Sequence, residues 1–237
     1  MDGRFETTHW SLVLAARTGK SVESRTALEA LCGAYWFPLY AFIRRQGYGA
    51  EEARDLTQGY FARLVERGDL IDVRPELGRF RSFLLVSVKH FLSNELDRER
   101  AKKRAPGRPL ISLDAQTAEY RYRIEPAETL TPETLFERKW AMTVLERTLA
   151  RLGGEWSESQ KAQRFEALRT HLSGDAPTAS YRELGETLGM SEDAVKVTVH
   201  RLRRRFGELL RDEIADTVRE PGEVDDEIRY LLGILKG

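Results

Sequence analysis

Apolar positions recur along most of this chain at three- and four-residue steps. Leu28, Leu31, Tyr35, Leu39 and Phe42 fall on one face of a helix at that spacing. Ala53, Leu56, Tyr60 and Leu64 repeat the pattern on a second helix, and Phe83, Val86, His90 and Leu92 on a third, longer one. No stretch alternates apolar and polar residues long enough to support a strand, so the expected fold class is all-α. Between Ala105 and Glu133 the pattern breaks. Pro106, Gly107, Pro109, Pro126 and Pro132 interrupt helices among mostly polar residues, which reads as a flexible linker over 105–132, with Leu110, Ile111 and Leu113 able to dock along its path. Helical periodicity then resumes. The expected organisation is an N-terminal extension carrying an extra helix (1–21), a helical domain (22–104), the linker, a second helical domain (133–212) and a C-terminal extension (213–237). In the last, Val224, Ile228, Leu231, Leu232 and Leu235 form a short amphipathic helix that must pack on something, the core of the second domain being the simplest choice.

Composition narrows the function classes. The chain has 237 residues, 41% of them hydrophobic and 32% charged, in the proportions of a globular protein without membrane spans. A single cysteine, Cys32, allows no internal disulfide and fits a reducing cytoplasm. Four scattered histidines beside it do not make a structural zinc site. Net charge is zero, which argues against nucleic acid until the charges are located. From Gly78 to Arg104 eight Lys/Arg stand against three Asp/Glu, and from Lys196 to Arg205 five basic residues stand alone. From Glu208 to Glu227 nine acidic residues face two basic ones. Two basic blocks and an acidic tail are hidden inside the neutral sum.

The second basic block belongs to the clearest motif. Within Ser180–Arg205, Ser180 can cap a helix and Glu183, three residues on, can complete a capping box. Leu184 and Leu188 supply the buried face, Gly189 can end the helix in the left-handed conformation, and Ser191 can cap the next. In that next helix Val195, Val199, Leu202, Phe206 and Leu209 share one face, and Lys196, His200, Arg203 and Arg204 another. This reads as a helix-turn-helix. Residues at the start of its second helix would reach base edges while flanking Lys and Arg neutralise phosphates, the candidate contacts being Ser191, Glu192, Asp193, Lys196, His200, Arg201, Arg203 and Arg204.

The run Tyr48–Leu64, with Ala53, Asp55, Leu56, Gln58 and Phe61 as the matching positions, resembles the region 2.2 helix of extracytoplasmic-function (ECF) sigma factors of the sigma-70 family. Gly78–Arg100 resembles the long helix that handles the promoter −10 element, and the helix-turn-helix is similar to region 4, which reads the −35 element. The likeness spans about residues 22–104 and 135–211, in the family's order. It implies an alternative sigma factor, a non-catalytic subunit without cofactor that binds core RNA polymerase through the β′ clamp helices and the β flap. Glu51, Glu52, Asp55, Leu56, Gln58 and Phe61 would meet polymerase. The loop Gly68–Leu77 would hold a flipped base, and Lys89, Asn94, Arg98, Arg100, Lys102, Lys103 and Arg104 would follow DNA around the melted stretch.

The chain also departs from that family. Arg54 and Gly59 stand where acidic residues are common, which weakens attraction to a basic clamp. A phosphate on the neighbouring Thr57 would restore negative charge, making Thr57 a candidate for a Ser/Thr kinase; the alternative is a half-buried threonine on the helix. The acidic tail could instead fold onto the basic helix at 196–205 and restrain DNA binding. His90, Phe80, Phe83 and the four tryptophans are assigned to core or interface packing. The competing function is an autonomous helix-turn-helix regulator, though no dimerisation heptad is evident. A helical adaptor that no longer opens promoters is a second alternative. An enzyme fits least, since there is no phosphate loop, metal-ligand spacing or nucleophile paired with a base.

Overall fold

A computed structural model describes residues 13, 16, 22–66, 70, 79–101, 119, 122, 130–157, 159–172, 179–215, 217, 218 and 220–236. Among these, the regular secondary structure is entirely helical: eight α-helices and two short 3₁₀ turns. The α-helices are α1 (Val22–Arg45), α2 (Ala50–Glu66), α3 (Phe80–Ala101), α4 (Pro132–Gly154), α5 (Ser159–Leu168), α6 (Tyr181–Leu188), α7 (Glu192–Ala215) and α8 (Val224–Lys236). No helix among the described residues is long and apolar enough to cross a membrane.

The chain divides into two compact units, one of residues 1–143 with 214–237, the other of residues 144–213. The boundary therefore falls inside α4 and α7, whereas the sequence places it in the Pro-rich stretch. Parts of that stretch are held down. Glu119 accepts hydrogen bonds from Tyr40 Oη (2.5 Å) and from Arg44 Nε and Nη2 (3.0 and 2.9 Å). The Arg44 guanidinium also lies 4.9 Å from the Tyr122 ring, and Arg45 Nε donates to the Leu130 carbonyl at 2.9 Å. At these positions the expected flexible linker is fastened to α1. Leu110, Ile111 and Leu113 lie outside the described residues. Of the N-terminal extension, Val13 and Ala16 are helical and buried.

In the first unit the second half of α1 is buried on every side, as its continuous apolar run from Ala34 to Ile43 requires. Gly47 (φ 100°) takes the left-handed conformation that ends α1 and turns the chain into α2. Ala53, Thr57, Tyr60, Phe61 and Leu64 form the buried face of α2. In α3 the buried set is Phe80, Arg81, Leu84, Val88, Phe91 and Leu92. This corrects the expected face of α3: Val86 is 58% exposed and His90 is exposed, while Phe83 is only half-buried. The side that packs is the apolar stripe Phe80, Leu84, Val88 and Phe91, with the charged Arg81 buried beside it. Aromatic edges lock the packing, Tyr35 against Phe80 and Tyr60 against Phe91, with centroids 5.4 and 5.7 Å apart. Thr131 caps α4 by accepting from Thr134 N at 3.1 Å, with Pro132 at the first helical position, where its missing N–H costs nothing.

The tail helix α8 clusters with this first unit. Its Glu227 is fully buried and binds the Arg81 guanidinium, with Arg79 Nη2 2.8 Å from its other oxygen. Arg81 also donates from Nε to Glu137 at 2.6 Å and stacks over Trp140 at 4.4 Å. Burial opposes the charge on Arg81, yet Glu137 and Glu227 hold its pKa above the ordinary value. Burial raises Glu137 in turn, and the second carboxylate beside it adds to that. Val224 and Leu231 complete the inward face of α8, and Leu232 stays 42% exposed.

Among its described residues the second unit packs an apolar core of Leu152 from α4, Phe165 and Leu168 from α5, Leu184 from α6, and Val195, Val199, Leu202 and Leu209 from α7. Each such side chain contributes roughly 1.5–3 kcal/mol by leaving water.

Candidate nucleic-acid and polymerase interfaces

The second unit builds its site on the turn between α6 and α7. Ser180 Oγ accepts from Glu183 N (3.3 Å) and the Glu183 carboxylate accepts from Ser180 N (2.7 Å), closing the expected capping box. Those bonds hold the carboxyl of Glu183 below the usual range, the backbone bond from Ser180 most of all. Gly189 (φ 64°, ψ 37°) ends α6, its N–H donating to Gly185 O, and Met190 N donates to the same carbonyl at 2.8 Å. Ser191 Oγ then accepts from Ala194 N at 3.2 Å and starts α7. One turn residue escaped the sequence reading. A Cβ on Gly185 would stand 2.6 Å from the Met190 carbonyl oxygen, so the turn closes only over a residue with no side chain.

Stepping along α7 at about 100° per residue puts Asp193, Val197, His200 and Arg204 within an arc of about 60°, opposite the buried Val195, Val199, Leu202 and Leu209. Lys196 and Arg201 flank this arc, and all six side chains are exposed. Lys196 Nζ lies 2.7 Å from Glu192 and 3.7 Å from Asp193, and Arg204 Nε 3.2 Å from Glu208. Exposed pairs of this kind are worth about 0–1 kcal/mol, so a phosphate can replace the carboxylate at little cost.

Arg203 and Arg205 stand at the edges and serve the fold. Arg203, an exposed side chain, donates from Nε and Nη2 to the His171 carbonyl (3.1 and 2.8 Å) and so also braces the segment before α6. His171 itself is 2% exposed, and its Nε2 bonds the Ala179 carbonyl at 3.0 Å. A carbonyl only accepts, so Nε2 carries the hydrogen. Arg205 clasps Glu155 (2.6 Å) and Glu208 (3.1 Å), whose hydrogen bonds raise its pKa. Neither His171 nor Glu155 carried a sequence signal, because their partners lie in other helices.

In the first unit, α2 presents Glu51, Glu52 and Asp55 to solvent and leaves Leu56 and Gln58 half-buried. Arg54 lies 2.7 Å from Glu51 and 3.4 Å from Asp55, drawing on the negative charge of this face. Two expected positions are corrected. Phe61 is 4% exposed and packs in the core, so it offers no contact surface. Thr57 is fully buried with its hydroxyl donating to Ala53 O at 2.6 Å, which makes it a core threonine. A phosphate there has no room unless α2 leaves its neighbours.

Along α3, Lys89 pairs with Glu133 at 2.6 Å, a hydrogen bond that holds the Glu133 carboxyl low. Asn94 is exposed, and so is Arg98, 2.7 Å from Glu95. Lys102, Lys103, Arg104 and the Arg100 side chain lie outside the described residues, as does the loop 68–77 apart from Leu70, which is buried. Hollows open among the described residues of this unit. One of about 490 Å³ brings Glu52 of α2 beside Lys89, Ser93 and Leu96 of α3. Another, about 380 Å³, is lined by Tyr60 and Arg63 of α2 with Phe83, Val86 and His90 of α3. No cluster among the described residues could hold a metal ion.

Comparison of the chain with protein-family models, curated proteins and solved structures finds no match.

Proposed function

We propose that this protein is an alternative sigma factor of the ECF type, a cytoplasmic, non-catalytic subunit that joins core RNA polymerase and selects promoters. The observation that carries the reading is the α6–α7 unit. A tight turn closed over Gly185 leads into a helix whose outward stripe holds Asp193, Lys196, His200, Arg201 and Arg204 directly opposite its core. An α-helix with base-reading groups toward its start and cations along its flank fits the major groove, here of the −35 element. The acidic, exposed side of α2 (Glu51, Glu52, Asp55) suits the basic β′ clamp helices, with the β flap a second contact for the α6–α7 unit. Lys89, Asn94 and Arg98 on α3 would follow the −10 strand. The polymerase supplies the chemistry.

Run-off transcription with core enzyme and a promoter library tests this. Initiation should be confined to a defined class of sites and fall by about tenfold or more when Glu51, Glu52 and Asp55 are changed together to lysine. Binding to duplex DNA without binding to core polymerase would mark an autonomous helix-turn-helix regulator instead.

A further inference from the structure

We propose that Val197 reads the methyl group of a thymine in the major groove, making it a specificity-determining residue of this protein. The inference rests on the DNA-binding reading of α7 given above. Val197 is 49% exposed and is the one exposed large apolar side chain among the described residues of the second unit. It sits near the middle of the outward arc, between Asp193 one turn before and His200 and Arg201 one turn after, with Lys196 at its side.

Nothing in the unit's own packing calls for a valine there. Its helical neighbours Val195 and Val199 fill the core, while Val197 faces the opposite way. A β-branched residue loses rotamer freedom in a helix, so valine at a solvent-facing helical position is a poor choice for stability alone. Its polar neighbours have other outlets. Lys196 and Arg204 already hold carboxylates that phosphates can replace, and Asp193 can accept from an exocyclic amino group. Val197 neither donates nor accepts, so its contact must be apolar. In the major groove the apolar feature that distinguishes one base from the others is the C5 methyl of thymine.

The test begins with duplex sites selected from a random library by the full-length chain together with core polymerase. Each thymine of the selected site is then replaced, one at a time, by deoxyuridine, which lacks only the methyl. One replacement should weaken binding by the wild type about fourfold, the worth of one buried methyl group. Val197→Ala should bind the unmodified site more weakly by a similar factor and be indifferent to that replacement. Val197→Ala favours the helix, and a circular dichroism melt no lower than the wild type's verifies its fold. If every thymine can lose its methyl without effect, or if Val197→Ala remains as sensitive as the wild type, the assignment is overturned. Absence of any selected site would instead overturn the DNA-binding reading itself, and with it this inference.

Discussion

In the first unit Arg81 keeps 2% of its side chain exposed and holds the buried carboxylate of Glu227; in the second, Arg204 keeps 78% exposed and holds Glu208 at the surface. Both arginines come from segments in which basic residues outnumber acidic ones. One joins the tail helix to α3 and α4, and the other stays at the surface. A charge count alone assigns both to nucleic acid. The direction of the side chain decides, and that is set by whether a carboxylate from a distant part of the chain arrives to receive it. Glu227 lies 146 residues from Arg81.

The two pairs should differ most in what they lose on truncation. Glu227→Ala leaves a buried guanidinium short of one partner and should cost about 3–5 kcal/mol. Glu208→Ala, at the exposed pair, should cost no more than about 1 kcal/mol. Urea unfolding of the two variants side by side measures the contrast, and equal losses would end it. Next in size, Gly185→Ala must push the Met190 carbonyl aside and should cost about 1–3 kcal/mol, with duplex affinity falling because the start of α7 moves. Ser180→Ala removes the cap of α6 and should cost about 1 kcal/mol. The smallest effect is one of pH. The carboxyl of Glu183 is lowered in the folded state, so the stability it confers is complete above its ordinary pKa and is lost as pH falls through the folded value. Acid titration of wild type against Ser180→Ala should show that difference shrinking on acidification.

What the sequence discloses follows the same division. The caps at Ser180 and Ser191, the left-handed Gly189 and the inward face of α7 are local, each settled within a few residues, and each was legible. The direction of α8 was not, because Glu227 finds its arginines across most of the chain. The face of α3 was misread because two apolar stripes run along it, and the one that packs is Phe80, Leu84, Val88 and Phe91 rather than the one through Val86 and His90. Phe61 matched a contact position in the resemblance, yet Tyr60, Phe61 and Leu64 together turn that side of α2 inward. Thr57, a candidate for a phosphate or else a half-buried threonine from sequence, is wholly enclosed because it lies one turn from Ala53, on the side that packs.

Docking of α2 on RNA polymerase is tested by equilibrium binding of the purified, unmodified full-length protein to bacterial core enzyme. If α2 is the docking surface, binding is saturable and one-to-one, and it is lost when Glu51, Glu52 and Asp55 become lysine. No binding, either by the full-length chain or after removal of residues 219–237, would contradict it.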